Sequence, residues 1–146
     1  LIKFIDDKNC SSIADLGTGG GFPGIVLAIY FQNFNFHVKL YEKSPIKSAF
    51  LLNISKELRL KCKIICSNVN SQKIDSNYIV CRAFRKLPYI LNISRENCIK
   101  RHKIIIMKGR NAQQEINNTS KMKNYKYILQ NSITDKNSKI IILDTK

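Results

Sequence analysis

The stretch Ile13-Ala14-Asp15-Leu16-Gly17-Thr18-Gly19-Gly20-Gly21-Phe22-Pro23-Gly24-Ile25-Val26-Leu27-Ala28-Ile29 decides the architecture. Five of the six glycines of this 146-residue chain fall within residues 17–24, between two apolar runs. Glycine lacks Cβ, so it takes φ > 0 and lets the backbone approach a ligand closely. A helix starting near Pro23 turns free N–H groups toward that ligand. The stretch therefore predicts a strand, a tight turn and a helix start, with a small nucleotide-like ligand at the turn. A glycine-rich surface turn is the plain alternative.

Gly19-Gly20-Gly21-Phe22-Pro23-Gly24 also satisfies G-x-G-x-x-G, and Glu42 follows at about the distance of a ribose-binding acid. A nicotinamide dinucleotide, and with it an oxidoreductase, thus stays open. Three features favour S-adenosylmethionine. Asp15 can accept hydrogen bonds near the cationic amino-acid portion of that cofactor, whereas a pyrophosphate would be repelled there. The turn is one glycine richer than the dinucleotide pattern requires. The net charge is +15, from 25 Lys and Arg against 10 Asp and Glu, which suits a polyanionic substrate.

The length fits one domain, residues 1–146. The chain starts at Leu1 without Met, which is read as a fragment or a trimmed start. The apolar runs are far shorter than the roughly 18 residues of a membrane span, and no secretory leader is visible, so a soluble, unexported, cytoplasmic protein is expected, and separately a monomer. Cys10, Cys62, Cys66, Cys81 and Cys98 form no C-x-x-C pair and read as buried thiols. His37 and His102 have no partner at metal-ligand spacing, so no metal is expected. The lysines are scattered rather than blocked, and a solvated basic surface accounts for many of them.

Strand-like runs at Ser12–Leu16, Phe36–Glu42, Lys63–Cys66, Tyr78–Arg82, Lys103–Lys108, Tyr125–Leu129 and Lys139–Leu143 alternate with potential helices. That rhythm predicts an α/β fold, a mainly parallel seven-stranded sheet with helices on both faces. The last two strands are close in sequence and predict an antiparallel hairpin. The clearest helix runs from Pro45 to Leu60, capped by Ser44, with Ile46, Phe50, Ile54 and Leu58 expected against the sheet. Lys47, Lys56 and Arg59 then face solvent. The 117–124 segment reads as a polar loop. Ligands of such sheets bind at the carboxyl ends of the strands, near Asp15 to Phe22, Glu42, residues 67–70, Arg82 and Lys108.

The glycine turn with Phe22-Pro23-Gly24 closely resembles the signature of the glucose-inhibited-division-B family. Its members are bacterial methyltransferases that modify a guanine N7 of 16S ribosomal RNA. Glu42-Lys43-Ser44-Pro45-Ile46-Lys47 looks like the family's acid-then-basic-helix segment, Cys81-Arg82-Ala83-Phe84 like its S/C-R-A block, and Met107-Lys108-Gly109 like its apolar-K-G block. The resemblance extends to Gln130-Asn131-Ser132-Ile133-Thr134 and covers essentially the whole chain. It implies a Rossmann-like class I S-adenosylmethionine methyltransferase acting on 16S rRNA or the small ribosomal subunit, without the N-terminal helical portion the family carries.

By that resemblance Gly17 and Phe22 meet the cofactor, Glu42 holds the ribose hydroxyls, and Val69 and Asn70 lie beside the adenine; the glycine turn itself adds Gly19 and Gly21 as cofactor contacts. Asn68 and Asn70 depart from the family's Arg and Glu, which also admits a degenerate nucleotide- or RNA-binding module. Arg82, at a strand's carboxyl end, can hold a carboxylate, a phosphate or guanine's acceptor edge. Arg82 and Lys108 are the positioning candidates, and Arg82 also counts among cofactor contacts. Lys108 reads equally well as a phosphate contact or a snorkelling lysine. Lys47, Arg85, Lys86, Lys108 and Arg110 are the RNA-binding candidates. No general base is needed, because guanine N7 carries a lone pair and no proton.

Overall fold

A computed structural model describes residues 1–6 and 12–145. Cys10 lies outside the described residues. Seven strands form one sheet: β1 (Ser12–Leu16), β2 (His37–Glu42), β3 (Cys62–Cys66), β4 (Tyr78–Arg82), β5 (Lys103–Lys108), β6 (Lys126–Asn131) and β7 (Lys139–Asp144). Their order is β3-β2-β1-β4-β5-β7-β6. The first five run parallel, β7 lies antiparallel to β5, and β6 and β7 form the expected antiparallel hairpin. Every expected strand is present, with boundaries displaced by at most two residues.

Central strands buried on both faces read as continuous apolar runs, and β1 and the Tyr78–Cys81 part of β4 are buried throughout. On one face α1 (Gly24–Tyr30) and α2 (Pro45–Glu57) pack Ile25, Ala28 and Leu51 against Val38 and Leu40. On the other, α3 (Leu87–Asn97) and α4 (Ala112–Asn117) pack Leu87, Ile90, Leu91 and Ile116 against Ile79, Cys81, Ile104 and Ile106. The segment expected to be a loop at 117–124 is instead the end of α4 and a short 3-10 turn, Ser120–Asn124, which buries Met122. Among the described residues no helix is long and apolar enough to cross a membrane.

Helix α2 corrects one expectation. Ser44 caps it, accepting from the Lys47 amide, but Ile46, Phe50 and Leu58 are 84%, 52% and 47% exposed. The residues that face the sheet are Ser48, Leu51 and Ser55. A strict four-residue spacing advances roughly 40° per step on a 3.6-residue helix, so that stripe spirals away from any fixed face. The small hydroxyls let the helix sit close to the sheet while staying paired. Ser48 donates to the Glu42 carbonyl at 3.3 Å, and Ser55 Oγ lies 3.2 Å from Cys62 Sγ.

Candidate active site

The glycine turn leaves β1 at the sheet's carboxyl edge. Gly17, Gly19 and Gly21 have φ of +66°, +60° and +94°. The amides of Gly17 and Thr18 both donate to the Tyr41 carbonyl, at 2.9 and 3.1 Å, which ties the turn to β2. The three glycines serve different needs. A Cβ on Gly17 would lie 2.2 Å from the Phe84 ring, and one on Gly21 would lie 2.6 Å from Ile25. Gly19 and Gly20 face open space, so there the bare backbone is presented outward.

Asp15 does not take the position expected of it. Its side chain is fully buried beneath the turn, and Oδ2 accepts from the Gly24 amide at 2.8 Å. A Cβ on Gly24 would stand 2.6 Å from that same oxygen, so the glycine there makes room for the latch. Asp15 thus joins β1 to the start of α1, whose first amide points at this carboxylate. The physical reason is that the turn folds back over the strand end. Burial pushes the Asp15 pKa up to about 7, opposed by the Thr18 hydroxyl, the Gly24 amide and the charge of Arg82. The Thr18 hydroxyl is near but outside hydrogen-bonding geometry, since neither Asp15 Oδ1 nor Thr18 Oγ1 has a partner.

Glu42 occupies the position the sequence assigns to it. It ends β2 beside the turn, where Oε2 accepts from the Gly19 amide at 3.0 Å and Oε1 from the Ser44 amide at 2.9 Å. Each oxygen keeps a lone pair for a further donor. A cavity of about 240 Å³ opens here, bounded by Gly17, Glu42, Lys47, Val69, Phe84 and Tyr89 among others. Its far wall is the turn following β3. Asn97, from α3, fastens that wall by donating to the carbonyls of Val69, Asn70 and Gln72 at 3.4, 2.9 and 2.9 Å. Asn70 Oδ1 accepts from the Tyr89 hydroxyl at 2.9 Å, and Tyr89 meets Phe84 edge to face with ring centroids 6.1 Å apart.

Sequence reasoning missed Phe84, Tyr89 and Asn97. Phe84 follows Arg82-Ala83 directly and carried a faint signal; Tyr89 and Asn97 carried none, because a helix face is needed to bring Tyr89 to the cavity and Asn97 to the turn behind it.

The basic residues separate by role. Arg82 is exposed, with its guanidinium carbon 5.4 Å from the centroid of the half-exposed Phe22 ring, a contact typically contributing about 0.5–1 kcal/mol. Lys108 is consumed by structure. Its Nζ donates to both Glu115 oxygens at 3.0 and 2.8 Å and to the Arg85 carbonyl at 2.8 Å. Glu115 in turn accepts from the Leu87 amide at 3.0 Å, which secures the start of α3. Lys47 and Arg85 rim this cavity, and Arg85 lies over the Tyr89 ring at 5.4 Å. Lys86 and Arg110 are exposed. Among the described residues no group of His, Cys, Asp and Glu is arranged to hold a metal ion.

A larger cavity of about 630 Å³ lies at the amino ends of the parallel strands, far from the glycine turn. There Ser94 Oγ is 2.7 Å from His102 Nε2, and His102 Nδ1 is 2.8 Å from the Lys100 carbonyl. Burial lowers the His102 pKa. This pair joins α3 to β5.

The donor set fits S-adenosylmethionine. Gly17 of the glycine turn, a carboxylate with spare lone pairs for two ribose hydroxyls, and an apolar wall at Val69 and Phe84 for adenine border one cavity, and the bare backbone of Gly19 and Gly20 stands beside it in the same turn. Sheet order and site together define a Rossmann-like, S-adenosylmethionine-dependent methyltransferase. The model of the family GidB, rRNA small subunit methyltransferase G, matches residues 1–142. The chain belongs to this family. It is 35% identical over 141 residues to Ribosomal RNA small subunit methyltransferase G of Pelagibacter ubique, covering 94% of this chain and 66% of that protein.

The chain thus spans about two thirds of the length of the curated relatives it matches. A fibrillarin/Nop5p complex shares the fold with a TM-score of 0.73 at 12% identity, over 97% of this chain and 75% of that one. A mutant of MtNAS in complex with S-adenosylmethionine matches with a TM-score of 0.68 at 14% identity, over 93% and 55% of the two chains.

Proposed function

We propose that residues 1–146 form a single domain that transfers a methyl group from S-adenosylmethionine to N7 of a guanine in 16S ribosomal RNA, acting as a monomer in the cytoplasm. The observation that carries this reading is the cavity beside the glycine turn in which Gly17 and Glu42 face Val69 and Phe84. The family match supplies the class of substrate. When bound, the cofactor supplies a methyl group on a positively charged sulfur. The protein's own residues bind and orient. Gly19 and Gly20 allow close approach, and Glu42 accepts from the ribose. Val69 bounds the adenine, and Asn70 lies on the turn beside it.

Guanine N7 needs no base. Its lone pair forms the new C–N bond as the C–S bond breaks toward sulfur, so positive charge moves from sulfur to the purine without a proton transfer. Alignment of donor and acceptor then accounts for the catalysis.

The test is incubation of the protein with isolated small ribosomal subunits and S-adenosylmethionine carrying a labelled methyl, followed by mapping of the labelled nucleotide. Label at a guanine N7 of 16S rRNA is expected. Folded protein that binds the cofactor and labels no RNA would leave the degenerate-module reading in its place.

A further inference from the structure

The amino edge of the sheet, opposite the glycine turn, carries a different chemistry. Residues 67–77, which link β3 to β4, contain one short 3-10 turn, Val69–Ser71, where a parallel crossover usually places a helix. Val69 and Ile74 from this link join Tyr41, near the end of β2, in the core. The amino halves of β2 and β3 stay open on that face, where His37 and Lys63 are exposed and Lys39 is half-buried. A groove of about 710 Å³, lined by residues 33–39 and 60–63, lies there.

Side chains on a strand alternate between faces, so His37 and Lys39 share the face of Tyr41, and Lys61 and Lys63 share that of Ile65, which packs against the same core. Lys39 and Lys63 are register partners on strands roughly 4.8 Å apart, and His37 and Lys61 stand two residues earlier on the same two segments. Like charges set side by side oppose folding. Lysine on an outermost strand guards against strand-to-strand association, which accounts for Lys63 on β3. It does not account for Lys39, which lies on β2 inside the sheet. Among the described residues no Asp or Glu lines the groove, and Lys61 and Lys63 form no ion pair. The Asp75 carbonyl accepts one hydrogen from Lys39 Nζ at 2.6 Å, leaving two, while the Asp75 carboxylate is taken by Lys100 at 2.8 Å.

Phe34, from the loop between α1 and β2, lines the groove and is 44% exposed. Its ring is braced by Phe31, edge to face at 5.8 Å, and by Tyr30, stacked at 6.3 Å with 10° between the planes. A braced aromatic ring beside grouped cations is the combination that holds a nucleic-acid strand, the ring stacking a base and the cations neutralising phosphates. We propose that this groove is a second RNA contact, which binds a single-stranded stretch of the substrate away from the reacting nucleotide, with Phe34 under a base and Lys39, Lys61 and Lys63 on the phosphates. The proposal rests on the reading of rRNA as substrate for the identity of that strand. His37 begins and Glu42 ends β2, so at about 3.3 Å per residue the groove stands roughly 16 Å from the cofactor carboxylate. One RNA can occupy both.

The sequence contains no tryptophan, so Phe34→Trp places a single fluorophore in the groove. A short oligouridylate is expected to quench it by stacking. Inorganic polyphosphate and polyglutamate, which carry charge without bases, are expected to leave it unquenched. Affinity is read separately from the anisotropy of labelled oligouridylate with protein that keeps Phe34. Lys61 and Lys63 are exposed and replaceable without cost to the core. Lys61→Gln/Lys63→Gln is expected to weaken binding at least fivefold at physiological salt, and to lower the slope of log affinity against log salt by about 1.4, at about 0.7 per single-strand phosphate contact. S-adenosylmethionine affinity should not change. Lys123→Gln/Lys126→Gln removes the same charge beside β6, the opposite edge of the sheet, and is expected to weaken oligouridylate binding less than about twofold.

Unquenched fluorescence at saturating oligouridylate, quenching reproduced by polyphosphate or polyglutamate, or a loss in Lys61→Gln/Lys63→Gln no greater than in Lys123→Gln/Lys126→Gln overturns the proposal. Such a result beside intact methylation of small subunits leaves the functional reading standing. Base-dependent quenching with the loss confined to Lys61→Gln/Lys63→Gln, beside absent methylation, keeps the RNA contact and removes that reading.

Discussion

Replacing Asp15 with Asn removes the one carboxylate that the glycine turn buries completely, and the consequence is a pH-dependent gain in stability. The folded protein holds this carboxyl at a pKa of about 7 against 3.8 when solvated, with burial as the leading cause. Between those values the native state binds more protons than the unfolded state, so stability falls as pH rises through the interval and levels off above about 7. At roughly 1.36 kcal/mol per pH unit, the interval corresponds to at most about 4 kcal/mol.

Asp15→Asn abolishes that loss. Its amide oxygen still accepts from the Gly24 amide, and its NH2 group gains the unpartnered Thr18 hydroxyl as an acceptor. The assay is urea denaturation of both proteins from pH 4 to pH 8, read as the difference between variant and wild type. Groups such as Asp75 and Asp135, whose pKa values are lowered by partners, cancel in that difference. The difference should grow in the variant's favour with pH and flatten above about 7. A difference independent of pH refutes the account of Asp15 as a buried, desolvated latch.

Gly19→Val, at φ +60° with open space around its Cβ, should cost about 1–2 kcal/mol of backbone strain while abolishing cofactor binding; Gly21→Val, wedged against Ile25, should fail to fold. Circular dichroism and cofactor titration separate the two outcomes, and unchanged affinity in folded Gly19→Val removes the turn from the site. Asn70→Glu should tighten S-adenosylmethionine binding by about 1 kcal/mol, with no gain for an analogue lacking the adenine amino group. Equal weakening of both compounds places Asn70 away from the adenine. Lys108→Met should destabilise the fold by about 1–3 kcal/mol, through the loss of Glu115's partner, and leave RNA affinity unchanged. A large loss of RNA binding in that variant returns Lys108 to the interface.

Much of the architecture was readable because its signals are local. Buried central strands must be continuously apolar, so Ser12–Leu16, Tyr78–Arg82 and Lys103–Lys108 announce themselves. A turn with three residues at positive φ must draw on glycine, so the 17–21 turn does too. Glu42 was legible for the same reason: a strand end beside that turn leaves a carboxylate little else to do.

What the sequence could not decide depends on which faces meet. A four-residue apolar spacing marked Ile46, Phe50 and Leu58 for the core, yet packing selected Ser48, Leu51 and Ser55, because helix phase is set by contact with the sheet rather than by side-chain polarity alone. Asp15 and Lys108 occupy the strand ends expected of them. Only the folded chain shows that one is sealed under the turn and the other bound to Glu115. Phe84 and Tyr89 reach the cavity from the loop before α3 and from α3 itself, and Asn97 of the same helix fastens the turn that forms its far wall. Such sites arise from strand order, a long-range property that residue spacing does not encode.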